Sequence, residues 1–190
     1  MQDPIEAYCH VGVVHPMAFP EVALGEGPIL ETLARIAEDP FFSAVEVGWI
    51  KDKQVRAEAA ALLAASGMDI IFGGQGAQMR AGASLCGLDA AARKQAIALA
   101  KQEIDQAYEM GASILALWSG PDPGEAQREA ATAALVESLK ELCADAQKKA
   151  SATMLTLTLE SFDRTVDKKA LIGPTREAAA VAEAVYAECS

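Results

Sequence analysis

Short apolar runs alternate with longer amphipathic segments along the whole chain. Five runs rich in β-branched and aliphatic residues are typical of buried strands, and they cover residues 8–14, 44–50, 69–72, 113–118 and 153–159. In the segments between and after them, apolar residues recur every three or four positions, which predicts helices. These helices are expected near residues 28–39, 53–66, 89–110, 126–149 and from 175 onward. The pattern therefore predicts five βα units in one domain spanning residues 1–190.

Residues at the segment ends support these helices. Asp89 and Thr175 are of the type that caps a helix N-terminus, and Gly67 and Gly111 are suited to the left-handed turn that ends one. The stretch from Met17 to Gly27 is predicted to be a long loop, as is the glycine-rich run at residues 73–76.

Strict alternation of strand and helix predicts parallel strands joined by right-handed crossovers. Two architectures fit five βα units: an open, flavodoxin-like sheet, and the first part of a (β/α)8 barrel, which usually needs about 250 residues. The open sheet would be expected to carry a glycine-rich phosphate loop, G-x-G-x-x-G, after its first strand. The segment there is VHPMAFPEVALGEG and does not match. Periodicity alone favours neither architecture.

The charge balance narrows the choice of partners. The chain has 16 Lys and Arg against 27 Asp and Glu, a net charge of −11, which disfavours nucleic acid and anionic membrane surfaces as partners. A small anionic substrate remains compatible, because a local arginine or a metal ion can reverse the sign inside a pocket. No run approaches the roughly 18 apolar residues of a membrane span.

The cysteines and the N-terminal residues predict a cytoplasmic protein. Cys9, Cys86, Cys143 and Cys189 have no zinc or disulfide spacing, so a reducing compartment is expected. The first residues, MQDPIEAY, have neither the basic region nor the apolar run of a signal peptide.

Glu160 is the leading candidate for chemistry. It follows the apolar strand at residues 153–159, and α/β proteins open their active sites at the carboxyl ends of their strands. We interpret Glu160 as a metal ligand or as a base that transfers a proton. The alternative is a strand-end glutamate that pairs with Arg164 or Lys168 or caps a turn. The charged residues Asp163, Arg164, Asp167 and Lys168 would either brace its loop or form a solvated run.

Two further ionisable residues lie in or beside predicted strands. Glu46 lies within the second strand, where a buried carboxylate needs a partner, so it either faces the site or forms an ion pair. His15, at the mouth of the first strand, is a candidate for binding substrate or assisting a metal. His10 is predicted to be a core histidine of that strand.

Several residues near strand ends are candidate substrate-binding groups. Trp49 and Trp118 are expected to form apolar walls for a substrate, with core packing as the alternative. Gln75 and Ser119, on predicted exit loops, are candidates for binding substrate hydroxyl groups.

Four segments of the chain resemble the sugar phosphate isomerase/epimerase family of xylose isomerase-like TIM barrels. They are HPMAFPE (15–21), DPFFSAVEVGWI (39–50), WSGPDPG (118–124) and LESFDRTVDKKALIGPT (159–175). The last is the most specific, and the order and spacing of all four agree with the family over nearly the whole chain. The resemblance implies a (β/α)8 barrel, of which this chain contains five βα units.

The resemblance also implies a metal-dependent activity. A glutamate at the end of strand five binds a divalent metal such as Mg²⁺, Mn²⁺ or Zn²⁺ in that family, and Glu160 matches it. The remaining ligands, an Asp, a His and a second Glu, come from strands six to eight, which residues 1–190 do not include. The chain is then part of a longer protein, a barrel completed by another chain, or a degenerate relative.

Three functions are compatible with these observations. The first is an isomerase or epimerase that acts on a small sugar or sugar phosphate by metal-assisted proton transfer through an enediolate. The second is a non-catalytic partial barrel that binds a partner or forms a homo-oligomer, because open sheet edges favour association. The third, an endonuclease IV-like phosphodiesterase, is disfavoured by two histidines and a net charge of −11.

Overall fold

The computed structural model describes residues 9–151 and 153–189. It contains five strands: β1 (Gly12–Val14), β2 (Ala44–Val47), β3 (Asp69–Gly73), β4 (Ile114–Leu117) and β5 (Thr156–Leu159). Its helices are α1 (His15–Ala18), α2 (Ile29–Ala37), α3 (Lys53–Ser66), α4 (Gln75–Arg80), α5 (Ala90–Met110), α6 (Arg128–Lys149) and α7 (Thr175–Cys189). Two 3-10 turns cover Pro20–Val22 and Glu125–Gln127. The predicted start of the first strand at Tyr8, and the N-terminal residues that bear on targeting, lie outside the described residues.

The five strands form one parallel sheet in the order β1-β2-β3-β4-β5. Each strand therefore pairs with the next one in sequence, and a flavodoxin-like sheet would instead place β1 between β2 and β3. The register aligns Val45 with Val13 and Ile70, and Leu115 with Phe72 and Leu157. Sequential parallel order, with each long crossover carrying a helix, is the arrangement of a TIM barrel, of which five βα units are present.

The core lies between the sheet and the long helices. Side chains alternate across a strand, and Val45, Val47, Phe72, Leu115 and Leu117 are completely buried on the helix side. Leu33, Leu63, Ile104, Leu135 and Leu142 from the helices are also completely buried within the same cluster. This packing leaves the alternate strand residues, such as Glu46, on the inner face of the sheet.

Local capping sets several helix ends, and the predictions for Asp89, Gly67 and Gly111 are confirmed, whereas Thr175 is the first residue of α7 and Asp52 was not predicted as a cap. Asp52 accepts hydrogen bonds from the backbone of Gln54 and Val55 at the start of α3, and Asp89 accepts one from Ala92 at the start of α5. Gly67 and Gly111 end these helices with φ values of +74° and +72°, in the region where only glycine is unstrained. Within the described residues, no helix is long and apolar enough to cross a membrane.

Several boundaries differ from the prediction. β4 ends at Leu117, because the next backbone N–H, that of Trp118, donates to Gln78 Oε1. β2 ends at Val47, three residues before the predicted end at Ile50, whose N–H donates to Gln106 Oε1. The predicted loop after β1 contains α1 and a 3-10 turn. The predicted glycine loop is reduced to Gly74, because β3 extends to Gly73 and α4 begins at Gln75.

The prediction for His10 is wrong. His10 precedes β1, its side chain is 61% exposed, and its Nδ1 lies 2.7 Å from Asp69 Oδ2. The strand is shorter than the apolar run suggested, so His10 lies at the surface and not in the core.

Candidate functional site

Glu46 projects from β2 on the face of the sheet opposite the core. Its neighbours Val45 and Val47 are buried against the helices, and Glu46 is half-buried. Burial raises the pKa of this carboxyl above its ordinary value, and the nearby Glu160 carboxylate raises it further. Desolvation and a nearby negative charge both disfavour the ionised form of a carboxyl, so the carboxyl keeps its proton to a higher pH.

The absence of a side chain at Gly73 makes room for this carboxyl. A Cβ at Gly73 would lie closer to Glu46 Oε1 than real Cβ contacts allow, and only 3.1 Å from Gln75 Oε1. Glycine therefore lets Glu46 lie across the end of β3, beside the first residue of α4.

Gln75 joins this region to Glu160. It is only 9% exposed, at the start of α4, and its side-chain Nε2 donates a hydrogen bond to Glu160 Oε2. The backbone of Glu160 extends the ladder by one bond, because its N–H donates to Leu117 O at 3.1 Å. Glu46, Gln75 and Glu160, from the ends of β2, β3 and β5, form what we call the rim cluster.

The loop after Glu160 is held by backbone pairing to the loop after β4. Leu171 N donates to Gly120 O at 2.9 Å, and Asp122 N donates to Lys169 O at 2.7 Å. Asp163 accepts hydrogen bonds from the backbone of Val166, Asp167 and Lys168 and stabilises the turn. The pairing with the loop after β4 and the hydrogen bonds to Asp163 together fix the conformation of the loop that follows Glu160.

Arg164 clamps the same loop and does not neutralise Glu160. It forms an ion pair with Glu177, donates to Leu171 O at 2.6 Å, and its Nε lies 3.8 Å from Asp122. Lys168 pairs with Asp167 at 3.0 Å. The alternative in which Glu160 is the partner of Arg164 or Lys168 is therefore not realised.

Helix α4 is supported by a second buried glutamate that sequence reasoning missed. Glu103 on α5 is completely buried, and its Oε2 accepts a hydrogen bond of 2.5 Å from Gln78, whose Oε1 also accepts from Trp118 N. Burial raises the pKa of Glu103 to about 8, although the Gln78 hydrogen bond and the Arg80 charge lower it. The signal in the sequence was a lone glutamate on the apolar face of α5, beside Ile104 and Ala107.

His15 is buried next to the rim, in the first turn of α1. Its Nε2 lies 2.8 Å from Thr32 Oγ1, and that hydroxyl donates its single proton to the carbonyl of Pro28 or Ile29. Nε2 therefore carries the imidazole proton and Nδ1 is an acceptor. Burial lowers the pKa of His15 to about 4, against a smaller opposite effect of Glu21, so the ring is neutral at pH 7.

The other predicted binding residues occupy different surroundings. Trp49 is half-buried and lines a cavity at the mouths of β1 to β3. Trp118 is 8% exposed, and Ser119 is fully buried with its hydroxyl between Gly120 O and Ile172 N. Ser119 thus connects the two loops, and the structure does not present its hydroxyl at the rim cluster.

The rim cluster fits part of a site for a hard cation. Glu46 and Glu160 offer carboxylate oxygens, the ligand type that Mg²⁺ and Mn²⁺ prefer. Across residues 9–151 and 153–189, no three side chains of the metal-binding types come together as a metal site. A cation held by these two carboxylates would need further oxygen donors.

Comparisons with known proteins agree with this architecture. A family model described as xylose isomerase-like TIM barrel matches residues 33–183. A D-psicose 3-epimerase from Clostridium cellulolyticum H10, solved with D-tagatose, superimposes with a TM-score of 0.72 at 18% identity, covering 93% of this chain and 60% of that one. An L-ribulose 3-epimerase gives a TM-score of 0.65 at 18% identity, covering 95% and 58%.

A protein described as AP endonuclease, family 2, from Brucella melitensis is also similar, with a TM-score of 0.67 at 17% identity, covering 93% of this chain and 65% of that one. No curated protein sequence matches the chain. The chain spans about three-fifths of the length of the epimerase structures, and at these identities the likeness is one of fold. Because the family model covers most of the sequence, the chain belongs to the xylose isomerase-like TIM barrel family.

Proposed function

We propose that this chain supplies the first five βα units of an isomerase or epimerase that acts on a small sugar or sugar phosphate. The observation that carries the proposal is the rim cluster. Three polar side chains from the ends of three strands converge at the edge of the sheet where barrels of this type place their chemistry. The epimerase structures with the same fold make a sugar the preferred class of substrate.

Each residue of the cluster has a role in moving a proton next to a carbonyl. Glu160, held through Oε2 by Gln75, accepts the proton from the carbon or binds the metal. Glu46, whose pKa is raised, holds a proton near the developing oxyanion. A divalent cation bound to neighbouring oxygens of a hydroxyketone would acidify the C–H between them and stabilise the enediolate.

The experiment is deuterium exchange into a panel of ketoses and ketose phosphates in D₂O, with the natural protein and its Glu160→Gln variant. Loss of a positioned proton-transfer group typically costs a factor of about 10² to 10⁴ in rate, and we expect a loss of that size. Glu129→Gln, at an exposed position on α6, is the matched control and should exchange at the wild-type rate. A Glu160→Gln variant with wild-type exchange would contradict the role of Glu160.

The phosphodiesterase alternative has one structural neighbour in its favour and the charge against it. A protein that binds DNA through its phosphates needs positive charge on its surface, and its affinity falls as the salt concentration rises. This chain carries a net charge of −11. Titration with a duplex containing an abasic site, at 50 mM and at 200 mM salt, tests the alternative. We expect no binding at either concentration, and salt-sensitive binding would revive the phosphodiesterase.

The non-catalytic alternative differs in its response to divalent ions. Calorimetric titration of the natural protein with Mn²⁺ should give saturable binding that is weakened in Glu160→Gln if Glu160 is a metal ligand. Absence of any divalent-specific binding, together with absence of deuterium exchange, would favour a partial barrel that only binds a partner.

A further inference from the structure

A small cavity adjoins the rim cluster on the side of β1 to β3. Its volume is about 60 Å³, and its lining includes His15, Trp49, Gly73, Gly76 and Arg80. Gly73 is the residue across which the Glu46 carboxyl lies, so the cavity and the rim cluster share a wall. A ligand at the cluster would therefore extend directly into this cavity.

Arg80 is the one arginine or lysine in the cavity lining. Its Nη1 lies 3.2 Å from the position that a Cβ on Gly76 would occupy. The guanidinium of this exposed side chain thus lies beside Gly76, in the first turn of α4, and both residues line the cavity. A side chain at Gly76 would compete for this space, so glycine there leaves the cation open to the cavity.

The charge of Arg80 has no close partner within residues 9–151 and 153–189, where it forms neither a hydrogen bond nor an ion pair. Four other arginines form ion pairs: Arg35 with Glu31, Arg56 with Glu109, Arg128 with Asp122 and Arg164 with Glu177. The longer-range interaction of Arg80 with the buried Glu103 leaves its donors unused. An open guanidinium presents a planar fork of N–H groups, which matches phosphate and carboxylate.

The volume of the cavity and the presence of His15 limit which chemical groups the cavity can bind. A cavity needs about 10–15 Å³ to hold one water molecule, so 60 Å³ accommodates roughly four to six non-hydrogen atoms. This is enough for a phosphate group and too little for a sugar ring. His15 Nδ1, an acceptor in a neutral ring, suits a sugar hydroxyl and cannot itself donate to an anion.

We propose that Arg80 binds the phosphate of a phosphorylated sugar, so that the substrates of the site are sugar phosphates and not free sugars. The phosphate would lie in the cavity against Arg80, the adjacent hydroxyl near His15, and the reacting carbon at the rim cluster. This inference rests on the proposed function for the identity of the sugar portion. The anion subsite itself rests on Arg80 and the cavity.

Calorimetric titration of the natural protein tests the subsite. The probes are D-ribulose 5-phosphate, D-ribulose and inorganic phosphate, at constant ionic strength, with the wild type and Arg80→Gln. A charge-assisted hydrogen bond corresponds to roughly tenfold or more in affinity. We expect D-ribulose 5-phosphate to bind at least tenfold more tightly than D-ribulose, and Arg80→Gln to remove that preference without changing the affinity for D-ribulose.

Two further variants make the test specific. Arg35→Gln, which removes another exposed arginine, should leave all three affinities unchanged. Arg80→Lys keeps the charge without the planar fork and should retain part of the preference. Equal affinities of the wild type for the two sugars, or an undiminished preference in Arg80→Gln, would overturn the proposal. These measurements are independent of turnover, so failure of Glu160 as a catalytic group would be recognised separately in the deuterium exchange.

Discussion

Glu46, near β2 and β3, and Glu160, at the end of β5, are held in position in different ways. On the side of β2 and β3, Glu46 emerges between completely buried neighbours and crosses Gly73, so the interior of the protein determines its environment. On the side of β5, the strand residues Leu157 and Leu159 are only partly buried, and Glu160 is exposed. A side-chain hydrogen bond from Gln75 and a clamped loop fix Glu160 instead.

This difference shows that two acidic residues near strand ends need not be equivalent. Burial makes the carboxyl of Glu46 reluctant to ionise. Glu160 is exposed, and the residue before it, Leu159, lines an apolar groove of about 270 Å³ between β5, α6 and α7. In the proposed mechanism, environment and not residue type makes Glu46 the proton holder and Glu160 the proton acceptor or metal ligand.

The sharpest test of the comparison uses two leucines that are partners in the sheet. Leu117 on β4 and Leu159 on β5 are paired in register, but Leu117 is completely buried and Leu159 is not. We expect Leu117→Ala to lower the free energy of unfolding by about 2–5 kcal/mol, and Leu159→Ala by less than half as much. Urea denaturation of both variants measures this difference, and equal losses would show that β5 is packed as tightly as the centre of the sheet.

The buried Glu103 should make stability depend on pH. Its pKa is about 8 in the folded protein against 4.5 for a free carboxyl, so between these values the folded state keeps a proton that the unfolded state loses. Stability should therefore fall as pH rises through this window, by at most about 1.4 kcal/mol per pH unit. Glu103→Gln should remove that slope.

Urea denaturation of wild type and Glu103→Gln at pH 5, 6, 7 and 8 provides the measurement. The exposed Glu129→Gln variant is the control and should keep the wild-type slope. Parallel curves for wild type and Glu103→Gln would mean that Glu103 does not retain its proton.

Gly73→Ala tests whether the rim cluster depends on close approach at β3. The new methyl group would collide with the Glu46 carboxyl, and overpacking of this kind costs about 1–3 kcal/mol. We expect the free energy of unfolding, measured by urea denaturation, to fall by that amount, and deuterium exchange into the ketose substrates to become slower. Gly12→Ala is the matched control, because its Cβ would make only an ordinary contact of 3.5 Å with Ala44. Equal behaviour of the two variants would mean that the rim cluster does not depend on the absence of a side chain at Gly73.

Arg164→Gln tests the clamp on the side of β5. The variant loses the ion pair to Glu177 and the hydrogen bond to the buried Leu171 carbonyl, and we expect a cost of about 1.5 kcal/mol. Lys168→Gln, on the same loop but in an exposed pair with Asp167, should cost almost nothing. Backbone hydrogen exchange at residues 161–171 should rise only in Arg164→Gln, and unchanged protection there would mean that the backbone pairing alone holds the loop.

Much of the secondary structure was predictable because its signals are local. The bounds of α3 and the capping by Asp89 follow from residues within one turn of the helix ends. Helix α4 was missed because glycines at residues 73, 74 and 76 suggested a loop, whereas Gln78 anchors the helix to Glu103 and Trp118. His10 was misplaced because an apolar run does not mark where strand pairing begins.

The amino-acid sequence by itself determined the alternation of strand and helix, the helix caps, and which acidic residues stand near strand ends. These properties depend on spacing and on contacts between near neighbours. Only the tertiary structure decided the sequential strand order and the meeting of Gln75 with Glu160 across 85 residues. It also left Arg80 open beside the cavity. The physical reason is that such contacts form between side chains brought together by the packing of the whole sheet, and no local pattern records them.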